Sequence, residues 1–232
     1  MHEPVAIVTG ASRGIGLATA QELSRRGYRL SLVAKSEDDL RQAAKSCGTS
    51  IIVPADLSKP RDIEKVVSTT LDAMGQVDAL VNNAGLAIMK PIDQFSPEEW
   101  QATVDVNLSA PFLFCRQLWP IWRRQGGGVV VNVSSAASRD PFPGFAAYGA
   151  AKAGLNLLGH ALAREGADLG VRVHTVAPAA TETAMFRSHF THEQFDTSKT
   201  LSPAEVARII VQCVCGDLQY TSGEVIYVRK SP

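Results

Sequence analysis

Tyr148 and Lys152 stand four residues apart in the run Tyr148-Gly149-Ala150-Ala151-Lys152, which continues through Ala153, Leu155, Leu157, Leu158 and Ala161. The run reads as the opening of an apolar helix, so the phenol and the ammonium project from one face, one turn apart. A phenol with an ordinary pKa of about 10 is a poor acid–base group at neutral pH. A neighbouring ammonium and the positive end of a helix both favour the phenolate, so the spacing predicts a lowered Tyr148 pKa. Lysine opposes the dipole in a first helical turn, so local stability does not account for its presence. On the pair alone, a chance surface spacing is the better reading. What overturns it is what the rest of the chain brings to the same place.

The second group of residues able to do chemistry is Gly10-Ala11-Ser12-Arg13-Gly14-Ile15-Gly16. It follows the short apolar run Val5–Thr9, a strand buried on both faces, and precedes a periodic segment, Leu17 to Arg26, stopped by Gly27. Strand, glycine turn and helix together direct backbone N–H groups and a helix N-terminus at a phosphate. Gly10 permits the tight turn, Gly14 the close approach of a pyrophosphate, and Gly16 close packing of helix on strand. The spacing is G-x-x-x-G-x-G, and the alternative is a glycine turn without a ligand.

These groups need a scaffold, and the chain supplies one. Strands are expected at Arg29–Val33, Ser50–Pro54, Ala79–Val81, Val129–Val133, Val171–Val176 and Val225–Val228. Helices alternate with them. Ser36 and Asp39 frame a capping box for a helix from about Glu37 to Cys47, and Ser58 caps one from about Pro60 to Met74. Ser96-Pro97-Glu98-Glu99 starts a long helix reaching about Gln125, which Pro111 and Pro120 should bend. Ser202-Pro203-Ala204-Glu205 starts another, to about Cys215. Such alternation means right-handed βαβ units and a parallel sheet covered on both faces, with the ligand outside the carboxyl ends of the strands. The glycine turn, Ala34-Lys35, Asp56, Asn82–Gly85, Ser135 and Pro178 all fall at those ends.

Composition narrows the function. The chain has 232 residues, 45% hydrophobic and 20% charged, which suits one globular domain. A formal net charge of zero gives no electrostatic case for nucleic acid or an anionic membrane. Met1-His2-Glu3-Pro4 offers no basic leader, and no apolar run is long enough to span a bilayer. Cys47, Cys115, Cys213 and Cys215 read as reduced packing residues of a cytoplasmic protein.

Thr9-Gly10-Ala11-Ser12-Arg13-Gly14-Ile15-Gly16, Asp56, Asn82-Asn83-Ala84-Gly85, Asn107, Ser135, and Tyr148 with Lys152, in this order and spacing, resemble the short-chain dehydrogenase/reductase family in its compact form. The resemblance covers nearly the whole chain. It implies a single α/β domain over residues 1–232, a Rossmann-like doubly wound parallel sheet of about seven strands, and hydride transfer between a nicotinamide cofactor and a carbonyl or alcohol. Tyr148 is then the general acid, Ser135 the hydrogen-bond donor to the substrate oxygen, and Lys152 a ligand of the nicotinamide ribose. Asn107 holds a water that relays protons to Lys152, or simply packs against backbone. Asp56 and Leu57 meet the adenine, Asn83, Ala84 and Gly85 line the cofactor, and Pro178 and Thr183 meet its carboxamide or phosphate. The resemblance also implies a homotetramer or homodimer, paired through the helices at 96–125 and 148–168.

The cofactor expected is NADPH. An NAD site presents a carboxylate at the end of the second strand. Here that position is Ala34, followed by Lys35 and Ser36, and Arg13 lies in the glycine turn within reach of a 2′-phosphate. Glu37 to Asp39 are placed in the next helix. The segment 184–201 reads as a substrate lid, with Met185, Phe186, Phe190 and Phe195 interleaved with Arg187, His189, His192 and Lys199. It suits a medium-sized apolar carbonyl, with a 3-oxoacyl group on an acidic carrier as first candidate; the alternative is an amphipathic loop with solvated charges. His189 and His192 lack a third ligand and are not read as a metal site. Two departures from the family pattern stand out, Ala177-Pro178-Ala179 after the sixth strand and Val228-Arg229-Lys230 at the end. A non-catalytic NADP(H) sensor and an alcohol dehydrogenase working oxidatively are the competing functions on the same fold.

Overall fold

The computed structural model describes residues 3–230; Met1, His2, Ser231 and Pro232 of the expected domain lie outside the described residues. The elements alternate as β1 Val5–Thr9, α1 Gly14–Arg25, β2 Arg29–Ala34, α2 Glu37–Ala44, β3 Ser50–Pro54, α3 Pro60–Met74, β4 Ala79–Asn82, α4 Pro97–Val104, α5 Ala110–Gln125, β5 Gly128–Val133, α6 Ala146–Gly166, β6 Val171–Pro178, α7 Ala184–Arg187, α8 Pro203–Cys215 and β7 Val225–Val228. The seven strands form one parallel sheet in the order β3-β2-β1-β4-β5-β6-β7. Strand order reverses between β1 and β4, which opens a crevice at their carboxyl ends.

The pleat explains why these strands read as continuous apolar runs. Along β1, Ala6 and Val8 face a core shared with Leu23 of α1 and Ile210 of α8. Ile7 faces the opposite core, with Phe114, Leu118 and Trp122 of α5. Both faces are dry, so no polar alternation appears. Each fully buried Leu or Phe contributes roughly 1.5–3 kcal/mol.

The long helix expected from Ser96 to Gln125 is interrupted. Ser96 and Glu99 do form a reciprocal capping box, but between α4 and α5 the residues Asp105–Ser109 form a π-helical turn. Pro111 has no N–H for the Asn107 carbonyl four residues back, and its ring crowds that carbonyl, so the helix widens there. Pro120 stays inside α5 without breaking it. Ser36 caps α2 through the Asp39 N–H, without the reciprocal half of a box, and α2 stops at Ala44. Ser58 does not cap α3; its N–H and hydroxyl donate to Asp56 Oδ1 at 3.1 and 2.8 Å.

Helix α6 is seated by glycines. A Cβ on Gly159 would lie 2.5 Å from Thr175 Oγ1 of β6, and one on Gly149 2.9 Å from the Ala137 carbonyl. The helix backbone therefore rests directly on the sheet and on the loop after β5.

Candidate active site

A cavity of about 750 Å³ opens at the carboxyl ends of the strands. Gly10, Ser12, Arg13, Gly14 and Ile15 form its floor at one end. Gly10 and Gly14 have φ of +64° and +58°, a left-handed backbone that glycine supplies without strain. Gly16 lies outside the cavity wall; a Cβ there would stand 2.2 Å from the Gly10 carbonyl, so its role is close packing. Helix α1 begins at Gly14, three residues before its apolar periodicity, with no side-chain cap and no acidic residue in its first turn. Helices α4 and α8 are both closed by serine–glutamate capping boxes. The free N–H groups and positive end of α1 thus face the cavity, and this fits a pyrophosphate.

The loop is held from below by Asn83. Its Nδ2 donates to the Thr9 carbonyl at 2.8 Å and the Gly10 carbonyl at 3.2 Å, while its own N–H donates to Thr9 Oγ1. Asn83, Ala84 and Gly85 all line the cavity, as do Pro178 and Thr183. Ala34, Lys35, Ser36 and Leu57 close the far end of the cradle. There the structure departs from the expected arrangement in two respects. Asp56 is not in the cavity wall: its carboxylate takes the Ser58 donors and a 3.1 Å ion pair from Lys35. Burial works to raise the Asp56 pKa, but the hydrogen bonds from Ser58 and Lys35 outweigh it and hold the carboxyl below its ordinary range. Lys35 is therefore a paired cation, and Asp39, from the first turn of α2, joins the wall beside it.

At the opposite end β5 and α6 deliver the candidate catalytic side chains. Ser135 follows β5, and its Oγ accepts from the Ala137 N–H at 3.1 Å. Tyr148 sits in the first turn of α6 and Lys152 one turn on, and all three line the cavity. Lys152 is 3% exposed; its Nζ donates to the Val133 carbonyl at 2.8 Å and lies 5.6 Å from the centre of the Tyr148 ring. The lowered Tyr148 pKa expected from the spacing is reversed. Burial pushes the phenol up, with the Ser135 hydroxyl pulling weakly the other way. Burial also brings Lys152 down from 10.5 to about 7, so the ammonium is itself costly here and exerts less pull on the phenol.

Asn107 lies in the π-helical turn, fully buried and behind the wall. Its Nδ2 donates to the Leu86 and Thr103 carbonyls at 2.8 Å, and its Oδ1 accepts from the Leu86 N–H at 3.3 Å. The side chain is thus committed to backbone. A Cβ on Gly85 would stand 3.1 Å from Asn107 Oδ1 and 3.8 Å from Lys152 Nζ, so glycine keeps the gap between the two open.

The segment 184–201 is a packed structure. Phe190 meets Phe186 and Phe195 at ring distances of 5.0 and 5.2 Å, and Phe142, from the loop before α6, at 5.3 Å. Phe145 bridges Tyr148 and His189 at 5.6 and 5.4 Å. Arg187 does not face outward. It forms a two-pronged ion pair with Glu182 at 2.6 and 2.7 Å and donates to the carbonyls of Thr191 and Phe195, and it holds the Glu182 carboxyl down at about 2. Phe142, Phe145, Arg229 and Lys230 line the cavity without having been expected to. Two phenylalanines flanking Pro143-Gly144 were an available signal for the first pair; the tail carried none, because only β7 pairing brings it here.

The chain belongs to the short-chain dehydrogenase family, whose model, described as short chain dehydrogenase, matches residues 4–194. Among curated relatives it is 33% identical to a 3-oxoacyl-[acyl-carrier-protein] reductase of Vibrio cholerae, covering 97% of this chain and 95% of that one. It is 32% identical to a 3beta-hydroxysteroid dehydrogenase of Eggerthella lenta, over 96% and 90%. Among solved structures it resembles the 3-ketoacyl-(acyl-carrier-protein) reductase of Brucella melitensis complexed with NADH, with a TM-score of 0.92, 29% identity, and 97% and 96% of the chains covered. The protein is a short-chain oxidoreductase with a nicotinamide-binding fold. No helix among the described residues is long and apolar enough to cross a membrane.

Proposed function

We propose that the protein is an NADPH-dependent reductase of ketones or aldehydes, with 3-oxoacyl thioesters among its candidate substrates. The observation that carries this reading is one cavity holding both the uncapped N-terminus of α1 and the Ser135, Tyr148 and Lys152 side chains. A nicotinamide, when bound, supplies the hydride. Ser135 donates a hydrogen bond to the carbonyl oxygen, and Tyr148 gives that oxygen its proton as negative charge develops. A phenol kept protonated by burial is suited to act as the acid. Lys152 binds the ribose, and the Asn107 carbonyl, to which Pro111 four residues on offers no N–H, receives the water that relays protons toward Lys152.

The preference for NADPH rests on Arg13, which lines the cradle with no ion pair among the described residues, and on Lys35, with neutral Ala34 where a selective carboxylate would stand. The Asp56 pair and Asp39 moderate it. Segment 184–201 acts as the substrate lid. Trp100, Phe112 and Leu157, large apolar side chains exposed on α4, α5 and α6, support assembly through those helices into a dimer or tetramer. A monomeric mass by light scattering at micromolar concentration would reject that assembly.

Oxidation of an alcohol uses the same residues with Tyr148 as base, and the resemblance to a relative named as a hydroxysteroid dehydrogenase supports that second reading. The test is a panel of ketones, aldehydes and acyl thioesters with NADPH and NADH, and of the matching alcohols with NADP+ and NAD+, followed at the nicotinamide absorbance. Turnover of no carbonyl with either cofactor would defeat the reductase reading.

A further inference from the structure

We infer that Arg229 reads an anionic group on the substrate, at the far end of an apolar body from the reacting carbonyl. This rests on the carbonyl-reductase reading and specifies its substrate class. Strand β7 pairs with β6 in the register Pro178↔Val228, and the Ala179 N–H donates to the Val228 carbonyl at 2.8 Å. The residue after Val228 is thereby delivered to the cavity wall beside Pro178 to Thr181. Side-chain alternation settles the face. Tyr227 Oη lies 3.4 Å from Ser138 Oγ and 3.5 Å from Asn156 Nδ2, on the α6 side. Val228 packs on the opposite side, against the core of α1 and α8, and Lys230 reaches Glu205 of α8 at 3.2 Å. Arg229 falls between them, on the face from which Tyr148 projects, and it lines the cavity.

The remaining charges make Arg229 distinctive. Arg187 is bound by Glu182, Lys230 by Glu205, and Lys35 by Asp56. Lys199 lines the cavity close to Asp196, whose pKa it helps to lower after the Ser198 hydrogen bonds. Arg229, like Arg13 at the cradle end, has no ion pair, side-chain hydrogen bond or ring contact among the described residues, whereas Lys199 has the Asp196 carboxylate nearby. Asp140 lines the same cavity but is not paired with Arg229. A guanidinium offers a planar fork of donors that fits carboxylate and phosphate oxygens alike. The same cavity is lined by Phe142, Phe145, Phe186 and Phe190, which suit the apolar body of such a substrate. The expected basic reader of an acidic substrate is thus placed in the tail, after the lid's own arginine proves to be an internal clasp.

The anion can be a carboxylate on the substrate itself or the phosphate of a pantetheine arm. Two matched pairs separate these: 4-oxo-4-phenylbutanoate against its methyl ester, and acetoacetyl-4′-phosphopantetheine against acetoacetyl-pantetheine. kcat/KM is measured for all four with wild type, Arg229→Gln and Arg229→Lys. Arg229→Gln should lower the anion-to-neutral ratio of one pair by about ten- to hundredfold, mostly through KM, and Arg229→Lys should recover part of it. The pair that responds names the source. An unchanged ratio in both pairs overturns the proposal, as does an effect confined to the KM of the cofactor. If wild type reduces none of the four, the carbonyl panel described above judges the reductase reading. Calorimetric affinity of the cofactor-loaded wild type and Arg229→Gln for the two anionic compounds then decides the role of Arg229. Equal affinity in both proteins for each compound rejects it, and weaker binding of either compound to the variant supports it.

Discussion

The two ends of the cavity are built by different means. At the cradle end, the surface is mostly backbone: two left-handed glycines, the open N-terminus of α1, and a loop fastened by Asn83. At the substrate end, the surface is side chains, contributed by three segments far apart in sequence: the loop before α6, the lid and the tail. A backbone surface admits one ligand class and tolerates little change. A side-chain surface can be altered residue by residue without disturbing the sheet. Between the two stand Ser135, Tyr148 and Lys152, fixed to β5 and α6.

The comparison is broken most sharply at that boundary. Tyr148→Phe removes the phenolic hydroxyl and with it the proton donor, so kcat should fall by about two to four orders of magnitude while cofactor binding, followed by fluorescence titration, persists. Retention of most of the wild-type kcat would mean that another group is the acid.

Lys152→Met tests the cost of the same boundary. Folded Lys152 releases its proton near 7, whereas an unfolded lysine holds it to about 10.5. Between those values the unfolded state binds more protons, so stability rises with pH across that window; below it, both states are charged and the full burial cost applies. The variant, which carries no charge, should therefore be more stable at pH 7 by roughly 2–4 kcal/mol, with the gain shrinking toward pH 10.5, while activity is lost. Urea denaturation at several pH values measures this, and a pH-independent gain would contradict the depressed lysine.

The cradle end is sharpened by Ala34→Asp with Lys35→Ala. The ratio of kcat/KM with NADPH to that with NADH on one substrate should fall by about ten- to hundredfold. Equal wild-type values with the two cofactors would remove Arg13 and Lys35 from the phosphate-reading role. The smallest effect belongs to the lid. Glu182→Gln releases Arg187, and KM for substrate should rise by about two- to fivefold with kcat little altered. Hydrogen exchange over 184–201 should increase in the same variant; unchanged exchange would show that the phenylalanine cluster alone holds the segment.

The same division governs what could be read from the sequence. Glycine spacing, strand-ending asparagines and the Tyr148–Lys152 interval are local patterns, and the parallel sheet aligns them without further information. The π-helical turn was hidden because Pro111 was read as a bend, whereas its missing donor widens the preceding turn. The Lys35–Asp56 pair was hidden because it joins the ends of β2 and β3, which are neighbours only in space. The Tyr148 pKa was misjudged since spacing reveals a neighbouring charge but not the desolvation of both partners. Arg187 was misread for the opposite reason: an arginine among exposed polar residues says nothing of a carboxylate five positions earlier folded back onto it.

The glycines beneath α6 have a consequence for how such a protein can diversify. Because Gly159 lets the helix sit against Thr175 and Asn132 of the sheet, and Gly149 against the Ala137 carbonyl of the loop after β5, the height of Tyr148 above β5 and β6 is set by close contacts remote from the lid and the tail. The reaction centre behaves as a fixed tool post, and the lid and tail as exchangeable jigs. Transplanting residues 184–201 and 229–230 from a relative should therefore transfer substrate preference with the hydride step intact, whereas Gly159→Ala, which adds a single methyl far from any ligand, should displace the phenol and slow every substrate alike.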